Sequence, residues 1–125
     1  MSDSATEQAS TDRDWVACAK VDEVPEGAMK GVTLDGKRVL VSRLDGDFYA
    51  IDAVCSHLSG DLAQGNFNGT CVTCPVHHAQ YDLRTGRVVK NVGRLVKLAT
   101  RKEATGQKTY EAKAVGPDIL LKRPL

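Results

Sequence analysis

The stretch GVTLDGKRVLVSRLDGDFYAI, residues 31–51, contains two Asp-Gly dipeptides at hairpin spacing, Asp35-Gly36 and Asp45-Gly46. Asp-Gly accepts positive φ at both central turn positions, and the resulting turn matches the right-handed twist of the strands it joins. Residues 31–34, 38–44 and 48–51 therefore read as a three-stranded antiparallel meander. Upstream, residues 15–20 alternate weakly as a first strand and 24–27 form a turn. Downstream, 65–69 is a turn-rich connection, and 71–73, 81–83 and 87–89 are short strands, with a turn at Thr85-Gly86. Residues 95–99, 109–114 and 119–121 are expected as closing strands, with a polar loop over 101–108. No helix-period stripe of useful length and no internal repeat is present, and few aromatics accompany the eleven glycines. The expected fold is all-β, an antiparallel sandwich or small barrel.

At 125 residues the chain forms one domain, expected over 15–121, large enough for a modest core without staples. Residues 1–14 are polar and acidic and read as a disordered tail; 122–125 form a short C-terminal tail. No signal-peptide pattern and no apolar run of membrane-spanning length occurs, so the expectation is a soluble, cytoplasmic protein of a reducing compartment.

The β pattern stops over residues 53–62, where Cys55-Ser56-His57 appears, and a second pair follows at Cys74-Pro75-Val76-His77. Each pair offers one soft thiolate and one imidazole, a rare alternation in a chain with only four Cys and three His. The spacing suits a binuclear iron–sulfur cluster in which one iron takes two sulfurs and the other two nitrogens. Replacing two thiolates by neutral imidazoles removes about two negative charges, which eases reduction and points to electron transfer. Gly60 and Pro75 fit tight ligand turns, glycine by tolerating positive φ and proline by stiffening the chain.

Other readings compete. A structural Zn²⁺ also accepts two Cys and two His, although zinc motifs commonly place like ligands in each pair. Cys71-Val72-Thr73-Cys74 spells a dithiol motif, but a strand leads into it where that motif normally opens a helix. Cys18 and Cys71 read as small buried hydrophobes. His78 competes with His77 as ligand, and the Cys-x-x-His spacing favours His77. The chain is not itself an oxygenase with a two-His-one-carboxylate iron, because one histidine is left after the two pairs are counted.

With these residues in place the chain resembles Rieske-type [2Fe–2S] proteins, specifically soluble low-potential Rieske ferredoxins of multicomponent oxygenases. The resemblance covers residues 15–121 and extends to Tyr49-Ala50-Ile51-Asp52, Gly60, Leu62, Tyr81-Asp82 and Thr85-Gly86. It implies that Cys55 and Cys74 bind an inner iron, and His57 and His77 an outer iron near the surface. It also implies an electron carrier without bond-changing chemistry, transiently taking electrons from a flavin-dependent reductase and passing them to an oxygenase or other redox enzyme. An accessory subunit of a nitrite-reductase-type complex is the alternative, though such subunits often lack the ligands. The loop disulfide of the quinol-oxidising branch is absent, with Val76 and the region of Gly60 in its place. Ala79 stands where high-potential members carry a serine hydroxyl, which implies a potential low in the range of roughly −150 to +300 mV. His78 stands where the family carries glycine. Tyr81 is expected as a core residue or as a hydroxyl donor to the Cys74 sulfur.

Charge is unevenly spread. Residues 1–14 hold four acidic groups against one basic (−3), 15–83 nine against five (−4), and 84–125 three against eleven (+8). The basic segment reads as a solvated surface and lacks the aromatic interleaving of single-strand nucleic-acid binders. Asp52, Asp61 and Asp82 lie near the ligands in sequence and are expected to form an acidic docking rim.

Overall fold

The computed structural model describes residues 14–123; the tail expected over 1–14 lies outside them apart from Asp14, as do residues 124 and 125. The meander forms as expected from β2 (Met29–Leu34), β3 (Lys37–Leu44) and β4 (Asp47–Asp52). Leu34 pairs with Lys37 and Leu44 with Asp47, leaving two-residue turns. In both turns Asp and Gly have positive φ, 49° and 85° at Asp35-Gly36 and 53° and 85° at Asp45-Gly46.

β9 (Thr109–Tyr110) joins the far edge of β4, completing the order β2-β3-β4-β9. Two further antiparallel sheets flank this one. One contains β1 (Trp15–Lys20), β11 (Asp118–Lys122) and β10 (Ala112–Val115), in that order. The other runs β5 (Asn66–Asn68), β6 (Cys71–Thr73), β7 (Gln80–Asp82), β8 (Val88–Lys90).

β3 explains the layering. Successive strand side chains point to opposite faces, and Val39, Leu40, Val41 and Ser42 are all buried, so this strand is covered on both sides. Val39 and Val41 join a core with Val32, Leu34, Ile119 and Leu121. Leu40 and Leu44 join a second core with Ile51, Leu62, Val72 and Tyr81. Cys55 and Cys74 belong to that second core, which places the ligand loops above it.

Three expectations change. Residues 66–68, read as a connection, form β5. The strand expected over 109–114 breaks at Glu111 into β9 and β10, which belong to different sheets. The strand expected over 95–99 is instead α1 (Arg94–Thr100), closed by Arg101 in the left-handed region at φ 56°. The alternation of that segment is misleading because its inward stripe is Val96 and Thr100, four residues apart, and half of it is polar. At the termini, β11 extends through Lys122, and the Arg123 N–H donates to the Asp14 carbonyl at 2.6 Å.

Candidate metal centre

The loop after β4 is pinned at its base by pairing of Val54 with Asp61 and by the Leu62 N–H on the Ala53 carbonyl, 2.8 Å. Inside it, the Cys55 N–H donates to the Gly60 carbonyl at 2.8 Å. The loop after β6 closes in the same way: the Cys74 N–H donates to the Ala79 carbonyl at 2.8 Å and the His78 N–H to the Cys74 carbonyl at 3.0 Å. Each Cys-His pair thus occupies one clamped turn.

The four residues come together as two pairs, cysteine with cysteine and histidine with histidine. The Cys55 and Cys74 side chains are buried and within hydrogen-bonding reach of each other. His57 Nδ1 and His77 Nδ1 stand 3.4 Å apart, with the rings edge to face and their centroids 5.1 Å apart. His57 is 1% exposed, whereas His77 is half-buried and His78 is exposed outside the cluster of four.

These donors fit a metal pair. At an imidazole–metal distance of about 2.1 Å, two nitrogens on one tetrahedral ion stand roughly 3.4 Å apart. Burial pushes the Cys74 thiol up, with Cys55 adding to the rise, against the Val76 and His77 N–H groups that lower it. Among the described residues no three His, Cys, Asp or Glu side chains converge where one ion could be held. The two imidazoles pair through their Nδ1 atoms, and the two thiols are buried in one core.

A profile of the Rieske [2Fe-2S] domain matches residues 14–116. The chain belongs to the Rieske [2Fe–2S] family. It is 31% identical over 77 residues to the ferredoxin component of the naphthalene 1,2-dioxygenase/salicylate 5-hydroxylase systems of Ralstonia sp, covering 62% of this chain and 74% of that one. Its fold superposes on the ferredoxin of carbazole 1,9a-dioxygenase from Nocardioides aromaticivorans IC177 with a TM-score of 0.73 and 26% identity, covering 88% and 98% of the two chains. It also matches, in fold alone, a structure titled as a complex of reduced oxygenase and oxidized ferredoxin in carbazole 1,9a-dioxygenase (TM-score 0.71, 18% identity, 90% of this chain and 97% of that one). As a Rieske ferredoxin, the chain carries one [2Fe–2S] cluster on Cys and His side chains and is an electron carrier, not itself an enzyme.

The surroundings of the Rieske loops include residues that no motif flagged. Gln107 is buried; its Nε2 donates to the Asp52 and Val54 carbonyls at 2.9 and 2.7 Å, and its Oε1 accepts from the Ser56 N–H at 2.9 Å. Ser56 Oγ donates to the Thr105 carbonyl at 2.5 Å and accepts from the Thr105 N–H at 2.9 Å. The polar loop over 101–108 is therefore a clamp on the first ligand loop. Thr100 Oγ1, from α1, lies 3.0 Å from His57 Nε2. Its own hydroxyl proton goes to the Val96 carbonyl at 2.8 Å, so it accepts from the imidazole.

Tyr81 bonds to a different sulfur from the one expected. Its hydroxyl is 3.1 Å from Cys55 Sγ and 2.9 Å from Ser56 Oγ, because β7 aims the ring into the core beneath the first loop, not the second. Burial, reinforced by the neighbouring Cys55 sulfur, pushes the phenol pKa up, so the hydroxyl stays protonated; with the Ser56 proton on the Thr105 carbonyl, its one proton is shared between Ser56 Oγ and Cys55 Sγ. One hydrogen bond of about 1 kcal/mol, set against a one-electron couple, makes Tyr81→Phe lower the midpoint by about 40 mV. Potentiometric titration checks this; an unchanged or raised midpoint would refute the donor role.

Two loop positions have distinct backbone reasons. Gly60 does not have positive φ, contrary to expectation. Its need is space: a Cβ there would lie 2.7 Å from Val76 Cγ2 and 2.8 Å from Cys74 Sγ. The left-handed residue is His78, at φ 68°, which keeps a glycine-like turn with a side chain in it. His78→Gly should stabilise the protein by about 1 kcal/mol by relieving that strain. A lower thermal midpoint for the variant would show that the imidazole makes a compensating contact.

The three carboxylates expected as an acidic rim each hold a hydrogen bond within the chain. Asp52 accepts from the Tyr110 hydroxyl at 2.5 Å. Asp61 accepts from the Ala63 N–H at 2.9 Å and lies 3.8 Å from Arg38, while Asp82 accepts from the Arg84 and Thr85 N–H groups at 2.7 and 3.2 Å. Asp61 and Asp82 each hold a turn, whereas Asp52 ties β4 to β9 through Tyr110. All four cysteines are free, and Cys18 and Cys71 are half-buried instead of enclosed. Among the described residues no helix is long and apolar enough to cross a membrane.

Proposed function

We propose that Cys55 and Cys74 hold the inner iron and His57 and His77 the outer iron. On this reading the protein is a cytoplasmic carrier that passes single electrons from a flavin-dependent NAD(P)H reductase to an oxygenase. The observation that carries this is the pairing of two buried sulfurs beside two Nδ1 atoms 3.4 Å apart, each Cys-His pair in its own backbone-clamped turn. When bound, the cluster takes up and returns one electron.

The chain's residues set the conditions for that exchange. Leu62, Val72, Ala79 and Tyr81 pack around the sulfurs and keep water from them. Tyr81 shares its hydroxyl proton between Cys55 and Ser56, Thr100 accepts from His57, and the half-buried His77 gives the site an edge to solvent. Contacts with partners are expected to be small and short-lived, as electron-transfer encounters are. The oxygenase reading follows the ferredoxin components among the relatives.

Metal analysis and EPR of the dithionite-reduced protein test the ligand set. The expected result is iron and acid-labile sulfide in equal amounts, with an average g value below that of all-cysteine clusters. A colourless protein, loaded with zinc or empty, would overturn the reading and favour the zinc or accessory-subunit alternatives.

A further inference from the structure

α1 covers His57 with its inner side and leaves its outer side without a partner. None of its seven residues is buried. Leu95 and Leu98 are 81% and 68% exposed, among the most exposed large apolar side chains of the described residues. Around them stand Arg94, Lys97, Arg101 and Lys102, which with Leu98 and Glu103 line a groove of about 460 Å³. Lys97 is paired with Glu103, but Arg94, Arg101 and Lys102 form no ion pair with any described residue. Four cations against one carboxylate leave this short segment at +3.

We propose that the outer face of α1 is the electron-transfer docking surface, and that it takes a partner protein presenting an acidic patch with an apolar centre. The inference rests on the reading of His57 as a ligand. Position supports it first: the hydrogen bond from His57 Nε2 to Thr100 Oγ1 leads from the imidazole directly into the helix. A partner seated on α1 is therefore separated from the outer nitrogen by one side chain and the thickness of the helix. Charge supports it second, because unpaired cations around two exposed leucines complement an acidic rim and steer encounter at low salt.

Two other basic-surface readings fit less well. Residues 94–103 include no aromatic side chain on which a base could stack. The two outward leucines make a far smaller apolar face than membrane-surface helices bury.

Stopped-flow kinetics on the cluster-loaded protein test the proposal with two protein probes. Reduced plant-type ferredoxin serves as an acidic donor and cytochrome c as a basic acceptor. In the Arg94→Glu, Arg101→Glu, Lys102→Glu triple variant, the rate constant with the acidic donor should fall about tenfold or more at low ionic strength. The difference should shrink in 1 M salt, where the Debye length is about 3 Å, and the rate with cytochrome c should not fall. Leu95→Ser, Leu98→Ser should slow the acidic donor at both salt concentrations. Where the triple variant fails to fold, the single variants Arg101→Glu and Lys102→Glu take its place.

Variants with a wild-type visible spectrum and an unchanged rate would overturn the docking proposal alone. Binding of wild type to phosphatidylserine vesicles or single-stranded DNA, lost in the triple variant while the protein-probe rates hold, would overturn it in favour of that surface. A colourless wild-type protein instead removes the ligand reading beneath it.

Discussion

His57→Ala and His77→Ala proteins, purified after expression with ample iron, are expected to lack the visible absorption of the parent. On the proposed ligand set each imidazole supplies one of two nitrogens to the outer iron, and removing one would open the coordination to water. The two variants should differ in what else they lose. His57 is 1% exposed and its Nε2 is bonded to Thr100, so truncation leaves a cavity and removes the donor from which Thr100 accepts, although the Thr100 hydroxyl stays bonded to the Val96 carbonyl. Large-to-small changes at such positions cost about 2–5 kcal/mol. His77 is half-buried, so its truncation removes the cluster at a smaller cost to the rest of the fold. Iron content and absorption report the first effect; thermal unfolding of the two apo-variants reports the second. Retention of the full cluster by either variant refutes the assignment of that histidine.

Gly60→Val should be nearly as damaging, although Gly60 coordinates nothing. The two ligand loops touch at this residue, where a Cβ would come within 2.8 Å of Cys74 Sγ and 2.7 Å of Val76 Cγ2. Cys74 is buried, with its backbone bonded to Ala79, and cannot move aside without breaking the second loop. Overpacking of this kind costs about 1–3 kcal/mol, and here the displacement falls on a ligand sulfur. Cluster occupancy should drop several-fold for valine and less for alanine, read as iron per protein in preparations matched for folded fraction. Wild-type occupancy in the valine variant would show that the loops are free to separate.

The legible parts of the chain share a physical property: their conformation is dictated by neighbours in sequence. Asp35-Gly36 and Asp45-Gly46 set two hairpins because positive φ at both positions is a local preference, and the meander follows. Cys-x-His and Cys-x-x-His could be read as two turns of mixed donors because both ligands of a pair lie within one turn. Where side chains act across the fold, the reading went astray. Tyr81 was expected in the core or at Cys74, its near neighbour in sequence; it is a core residue, but β7 pairing turns its hydroxyl to Cys55. The hydrogen bonds that Asp52, Asp61 and Asp82 accept from Tyr110, Ala63, Arg84 and Thr85 were not legible either. α1 was read as a strand because its exposed leucines, not its short buried stripe, carried the apparent pattern.

The amino-acid order alone thus determined a β meander and two turns, each bearing one sulfur and one imidazole donor. Those outcomes depend on backbone preferences and spacings of a few residues. Only the tertiary structure decided that the two turns face each other across Gly60. It also decided that Gln107 and Ser56 clamp the first turn and that Thr100 closes a basic helix over one imidazole while leaving the other near solvent. These contacts join residues about 40 to 55 positions apart, and no local propensity encodes a distance of that kind.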